Sequence, residues 1–165
     1  VWHKAIVHLH TNPYLPEDRG FFVGIIFILK MGGARMTTWN LQDMQKHVLI
    51  CNGSSCMRKG GEEVTQAIRK EITTRELDRY IHTSRTRCNG RCKDACVVIV
   101  YPDAVWYEGI DVDSAKELVH SHLENNQILK SKVIYERTQT GMSLKNNRVK
   151  GIEKEKQEAK KEEVL

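Results

Sequence analysis

Proline occurs three times in 165 residues, without a glycine repeat, so the chain is neither collagen-like nor a mucin-like stalk. Aromatic residues make up only 7% and are not interleaved with a basic stripe, which removes the stacking surface that nucleic-acid binding would use. Charge of one sign does not accumulate either. Lys and Arg against Asp and Glu number four to three over residues 1–45, fourteen to twelve over 46–135, and eight to six over 136–165, for a net charge of +5. No segment carries the electrostatic footprint of a nucleic-acid partner. Long apolar runs are absent: the longest, Gly20 to Leu29, has ten residues, too few to span a bilayer and too far from an N-terminal basic region for a signal peptide. With 40% hydrophobic and 28% charged residues, what remains is one globular domain of ordinary size.

The flanks read differently from the middle. Gly20 to Leu29 reads as a strand or short buried helix, or else as translated upstream sequence, because Gly32-Gly33-Ala34-Arg35-Met36 is encodable by a purine-rich ribosome-binding stretch before a start codon. Initiation at Met36 is expected, with residues 1–35 a mis-called extension, 36–135 the folded domain and 136–165 a charged tail. Apolar residues thin out after Thr138, so that tail is expected to be disordered or a frayed helix held by Glu/Lys pairs.

Between them, His47-Val48-Leu49-Ile50 predicts a strand that ends at Cys51 and the Asn52-Gly53 turn. Val64, Ala67, Ile68 and Ile72 recur at helical spacing over residues 61–72, with Glu62 and Glu63 placed favourably in the first turn. Tyr80 to Arg87 reads as a second strand, and Val97 to Tyr101 with Val105 to Gly109 as a hairpin about Pro102-Asp103-Ala104. Asp111 is an N-cap candidate for a helix to about Asn125, with Ala115, Leu118, Val119 and His122 or Leu123 on one face. Residues 127–135 add a short edge strand. The fold class is α/β, a small mixed sheet of about four strands with two main flanking helices.

Cysteine is sparse but concentrated. All five lie at 51, 56, 88, 92 and 96, an odd number whose spacing does not suggest a disulfide framework. Two pairs, Cys51/Cys56 and Cys88/Cys92, follow the first two strands. If those strands are neighbours, four thiols converge at one edge of the sheet. Gly53 and Gly90 allow tight turns beside sulfur, and Arg58, Lys59, Arg87, Arg91 and Lys93 offset the charge of four thiolates. Neither pair is the CxxC of common zinc knuckles, and both usual ferredoxin cysteine runs are absent; the residues alone leave iron–sulfur and structural zinc open. His120 and His122, two apart on a helix, cannot share one ion from the same face.

CNGSSCMRKGGEEV, a gap of thirty-one residues after Cys56, and then CNGRCKDACVVIVYPDAVWYEGI resemble the thioredoxin-like 2Fe-2S ferredoxin family, related to the small iron–sulfur subunit of respiratory NADH dehydrogenase. The resemblance covers about residues 46–125. It implies a thioredoxin-like fold and a one-electron carrier with a single 2Fe-2S cluster held by Cys51, Cys56, Cys88 and Cys92. Cys96, where members often have Pro, is then a buried free thiol rather than a ligand. The resemblance further implies a redox protein partner, a flavoprotein among the candidates, docking at Arg58, Lys59, Arg87, Arg91 and Lys93. Several members are homodimers, and some are encoded beside cobalamin-biosynthesis genes, which makes a reductive step there one context. A cytoplasmic setting and no catalytic residues are expected. The alternative is a structural zinc module built on the same four cysteines.

Overall fold

The computed structural model describes residues 37–145 and 147–153. The Gly20 to Leu29 run, the start expected at Met36 and the last residues of the charged tail lie outside them. Among the described residues six strands form one mixed sheet in the order β2-β1-β3-β4-β5-β6: β1 Lys46–Cys51, β2 Ile81–Thr86, β3 Val98–Tyr101, β4 Val105–Tyr107, β5 Val133–Thr138 and β6 Gly141–Leu144. Only β1 and β2 run parallel, His47 lying opposite His82 and Cys51 opposite Thr86; the other pairs are antiparallel. The thioredoxin-like class stands, with six strands in place of about four.

Alternation decides which face is covered. Val48, Ile50, Val98, Val100, Val105 and Tyr107 share one face by register and are fully buried. Helices α2 (Gly61–Thr74) and α3 (Val112–Leu118) pack on it and on each other. Val64, Ile68 and Ile72 are the buried stripe of α2, as their spacing of four predicts. Arg69 donates to Thr83 at 2.9 Å and Arg85 pairs with Glu62 at 2.5 Å, which tie α2 across β2. Asp111 caps α3 with a reciprocal box: its carboxylate accepts from the Ser114 amide at 2.9 Å, and Ser114 Oγ accepts from the Asp111 amide at 2.9 Å. The helix then widens into a π-helical turn, Val119–Glu124, which keeps Val119, His122 and Leu123 inward.

The second face carries no helix among the described residues. Register places Ser84, Leu49, Ile99, Trp106, Tyr135 and Leu144 in one row across all six strands. Ile99 is buried at its centre; Leu49, Trp106, Tyr135 and Leu144 are half-buried, and the rings of Trp106 and Tyr135 meet edge to face at 6.2 Å. Two elements stand where no regular structure was expected. One is α1, Ser54–Arg58, between the first two cysteines. The other is β6, which prolongs the sheet past Thr138 and is followed by a strap, residues 147–153, anchored through Arg148 to the carbonyls of Ser131 and Val133 and by an ion pair to Glu108.

Candidate metal centre

Parallel pairing is what brings the cysteines together. Because β1 and β2 end at the same edge, the chain leaves both at neighbouring points, with the Asn52 amide donating to the Thr86 carbonyl at 2.8 Å. Helix α1 starts at once, so Cys56 turns back inward and is 2% exposed, like Cys51 at 3%. After β2 the loop reverses at Gly90, where φ is +81°, and one 3-10 turn, Cys92–Asp94, returns Cys92 Sγ to 3.3 Å from Cys88 Sγ. The loops touch at Gly53. A Cβ there would sit 3.0 Å from Cys88 Cα, so any larger residue would push the two loops apart by a few tenths of an ångström.

The thiols form a connected set. Cys51 and Cys56 interact directly, Cys92 feels the charge of both Cys88 and Cys51, and Cys51 Sγ donates to the Arg87 carbonyl at 3.5 Å. Burial pushes the Cys56 thiol up to about 12. The Gly90 amide, donating to Cys88 Sγ at 3.4 Å, holds Cys88 below the ordinary thiol value, while the nearby Cys88 raises Cys92. Cys56 and Cys92, both raised, favour deprotonation only beside a cation, which is what a metal supplies. Cys96 sits deeper behind α1. Its Sγ donates to the carbonyls of Cys56 at 3.3 Å and Lys59 at 3.2 Å, and burial raises its thiol.

Of the basic residues singled out in the sequence, Arg58, Lys59, Arg87 and Lys93 are exposed around the loops. Arg91 is not. Its guanidinium turns inward to Asp94, Nε to Oδ2 2.5 Å, with the two side chains 10% and 5% exposed. It also lies over the Tyr135 ring at 5.3 Å and donates to the Val149 carbonyl at 2.6 Å. Arg91 therefore braces the Cys88–Cys92 loop against β5 and the strap rather than presenting a free charge. Lys132 and Arg148, which reach the same surface from after β4, carry no signal in the sequence, because they lie 36 and 52 residues beyond the nearest cysteine, Cys96.

A sulfide-bearing cluster fits this donor set. Four thiols arrive as two pairs, one buried and one exposed, and the buried Asn89 Nδ2, between Cys88 and Cys92, is a donor with no protein acceptor. Among the described residues no group of three or more His, Cys, Asp or Glu is arranged to hold a single metal ion. Also among them, no helix is long and apolar enough to cross a membrane. Residues 37–122 match the family model of the thioredoxin-like 2Fe-2S ferredoxins. A protein of Priestia megaterium named as a 2Fe-2S ferredoxin is 52% identical over 126 residues, covering 75% of this chain and 98% of the relative. A 2Fe-2S ferredoxin of Clostridium pasteurianum is 32% identical over 92 residues, covering 51% and 90%. The solved structure of a thioredoxin-like 2Fe-2S ferredoxin from Aquifex aeolicus superposes with a TM-score of 0.54 at 30% identity, covering 61% of this chain and 99% of that one. Since the family match spans over half of the chain and runs through both cysteine loops and the sheet that aligns them, the chain belongs to the thioredoxin-like 2Fe-2S ferredoxin family, as an electron carrier whose cofactor is a 2Fe-2S cluster.

Proposed function

We propose that Cys51, Cys56, Cys88 and Cys92 each give one thiolate to the cluster, the first two from the buried side and the last two from the exposed side. The convergence of both pairs on one sheet edge, with Gly53 against Cys88, carries this reading. The bound cluster supplies reversible one-electron chemistry. The chain's own residues hold the thiolates, exclude water on the Cys51/Cys56 side, donate an amide hydrogen bond at Cys88 and leave Cys88 and Cys92 accessible to a partner. Cys96 stays a structural thiol, since its proton already serves two carbonyls.

Iron and acid-labile sulfide at about two each per chain, with visible absorption bleached by dithionite, are the expected analysis. Replacing any of the four by Ser should abolish or strongly alter that spectrum, whereas Cys96→Ser should leave it near native. A colourless protein with one zinc, or a Cys96→Ser variant that alone loses the colour, would overturn the assignment.

Docking is proposed at the exposed edge, where Arg58, Lys59, Arg87 and Lys93 surround Cys88 and Cys92 and suit an acidic redox protein, a flavoprotein included. A second copy of the chain is proposed on the helix-free sheet face, whose half-buried row from Leu49 to Leu144 suits an apolar partner surface. Free thiols as metal ligands agree with a reducing, cytoplasmic setting.

A further inference from the structure

A cleft of about 380 Å³ opens beside the cluster loop, between the end of α1, Lys93 to Ala95, the end of β4 and the strap. Four cations line it, Lys59, Lys93, Lys132 and Arg148, against two acids, Asp94 and Glu108. Both acids are already engaged, Asp94 by Arg91 and Glu108 by Arg148. Lys132 Nζ donates to the Gly109 carbonyl at 3.0 Å and feels Asp111 without pairing with it, and among the described residues neither Lys59 nor Lys93 has an ion-pair partner. Three ammonium groups therefore face one concave surface whose two lining carboxylates are already paired with arginines. Like charges gathered in a cleft repel one another, an arrangement relieved by an anionic occupant.

We propose that this cleft receives an acidic peptide segment of the electron-transfer partner, its Asp or Glu carboxylates engaging Lys59, Lys93 and Lys132. The inference deepens the docking reading given above and rests on it. It adds a direction: Lys93 follows Cys92 directly, so a segment seated in the cleft would anchor the partner on the Cys92 side of the cluster loop. It also adds a residue, Lys132, that ends the 3-10 turn just before β5 and belongs to neither cysteine loop.

The test uses the cluster-loaded full chain and reduced flavodoxin, an acidic flavoprotein, as electron donor in stopped flow, with a ten-residue oligoglutamate peptide as competitor. Lys132→Glu should keep the native visible spectrum yet slow the second-order rate about tenfold at low salt, and the peptide should lose its inhibition of that variant. Lys70→Glu, an equal charge change on α2, should leave rate and inhibition close to native. A Lys132→Glu rate and peptide inhibition equal to native would overturn the cleft, as would equal slowing by Lys70→Glu, which would reduce the effect to net charge. In either case slowing by Arg58→Glu and Arg87→Glu would leave docking at the exposed edge standing; no salt dependence in any variant would remove both.

Discussion

Tyr107 donates its hydroxyl to His122 Nδ1 at 2.7 Å, and the other ring nitrogen of His122 lies 3.1 Å from Asp103, which also receives Lys46 Nζ at 3.1 Å. This network closes the end of the sheet remote from the cysteines. Burial, with Lys46 beside it, lowers the pKa of His122 against the opposing pull of Asp103. The folded chain thus holds His122 neutral, and the unfolded chain takes up a proton as pH falls below about 6.5. His47, lowered by burial and by His82, acts in the same sense. Asp103 is held below the usual carboxylate range by Lys46 and His122 although burial opposes this, so its share of stability disappears only at lower pH. The urea midpoint read by far-UV circular dichroism should therefore be flat between about pH 7 and 8, fall between about pH 6.5 and 5, and fall again below about pH 4; in His122→Gln the first fall should shrink. Tyr107→Phe removes one buried hydrogen bond and leaves Nδ1 unpaired, costing about 1–3 kcal/mol by the same measurement. At the cluster, Gly53→Ala must displace the Cys88 backbone and should speed loss of colour to a chelator. Asn89→Ala removes the buried free donor, and a more negative midpoint potential is expected in redox titration.

The elements differ in how plainly the chain announces them. Helix α2 was legible because Val64, Ile68 and Ile72 repeat every four residues, and α3 because Asp111 marks its cap before Ala115 and Leu118; the reciprocal part of Ser114 was not read. The hairpin β3–β4 was legible from its β-branched run and its Pro-Asp turn. Helix α1 was not, because five residues contain a single buried side chain, Cys56, and so no period. Strand β6, GMSL, is exposed along most of its length, and backbone pairing with β5 rather than side-chain burial defines it. The cysteine pairs were readable from spacing and strand order, but the inward turn of Arg91 was not, since Asp94 three residues on gives no sign of burial and the other partners, Tyr135 and Val149, are distant in sequence. A chain ending after Tyr135 loses β6, the Arg148–Glu108 ion pair and the Val149 bond to Arg91, yet keeps all four proposed ligands and strands β1 to β4. It should still load a cluster but release iron to a chelator faster than the full chain. Failure to load any cluster would make the last strand and the strap part of the minimal fold.

For the molecule as a whole, the two faces of the sheet divide the work: one is filled by α2 and α3, and the other offers the row from Leu49 to Leu144. Trp106→Glu puts a charge in the middle of that row. If a second copy covers it, sedimentation should show a dimer for the native chain and a monomer for the variant, with the cluster spectrum kept. A native monomer would remove the second copy. The parallel pairing of β1 and β2 also bears on the order of events in synthesis. A parallel connection cannot close as a hairpin, and here the crossover is α1 with α2, so Cys51 and Cys56 leave the ribosome well before Cys88 and Cys92. The nascent chain holds only half of the proposed binding site until β2 has docked beside β1. Colour then becomes a clock: in refolding of the metal-free chain with iron and sulfide, visible absorption should lag behind helix formation and rise no faster than the sheet closes.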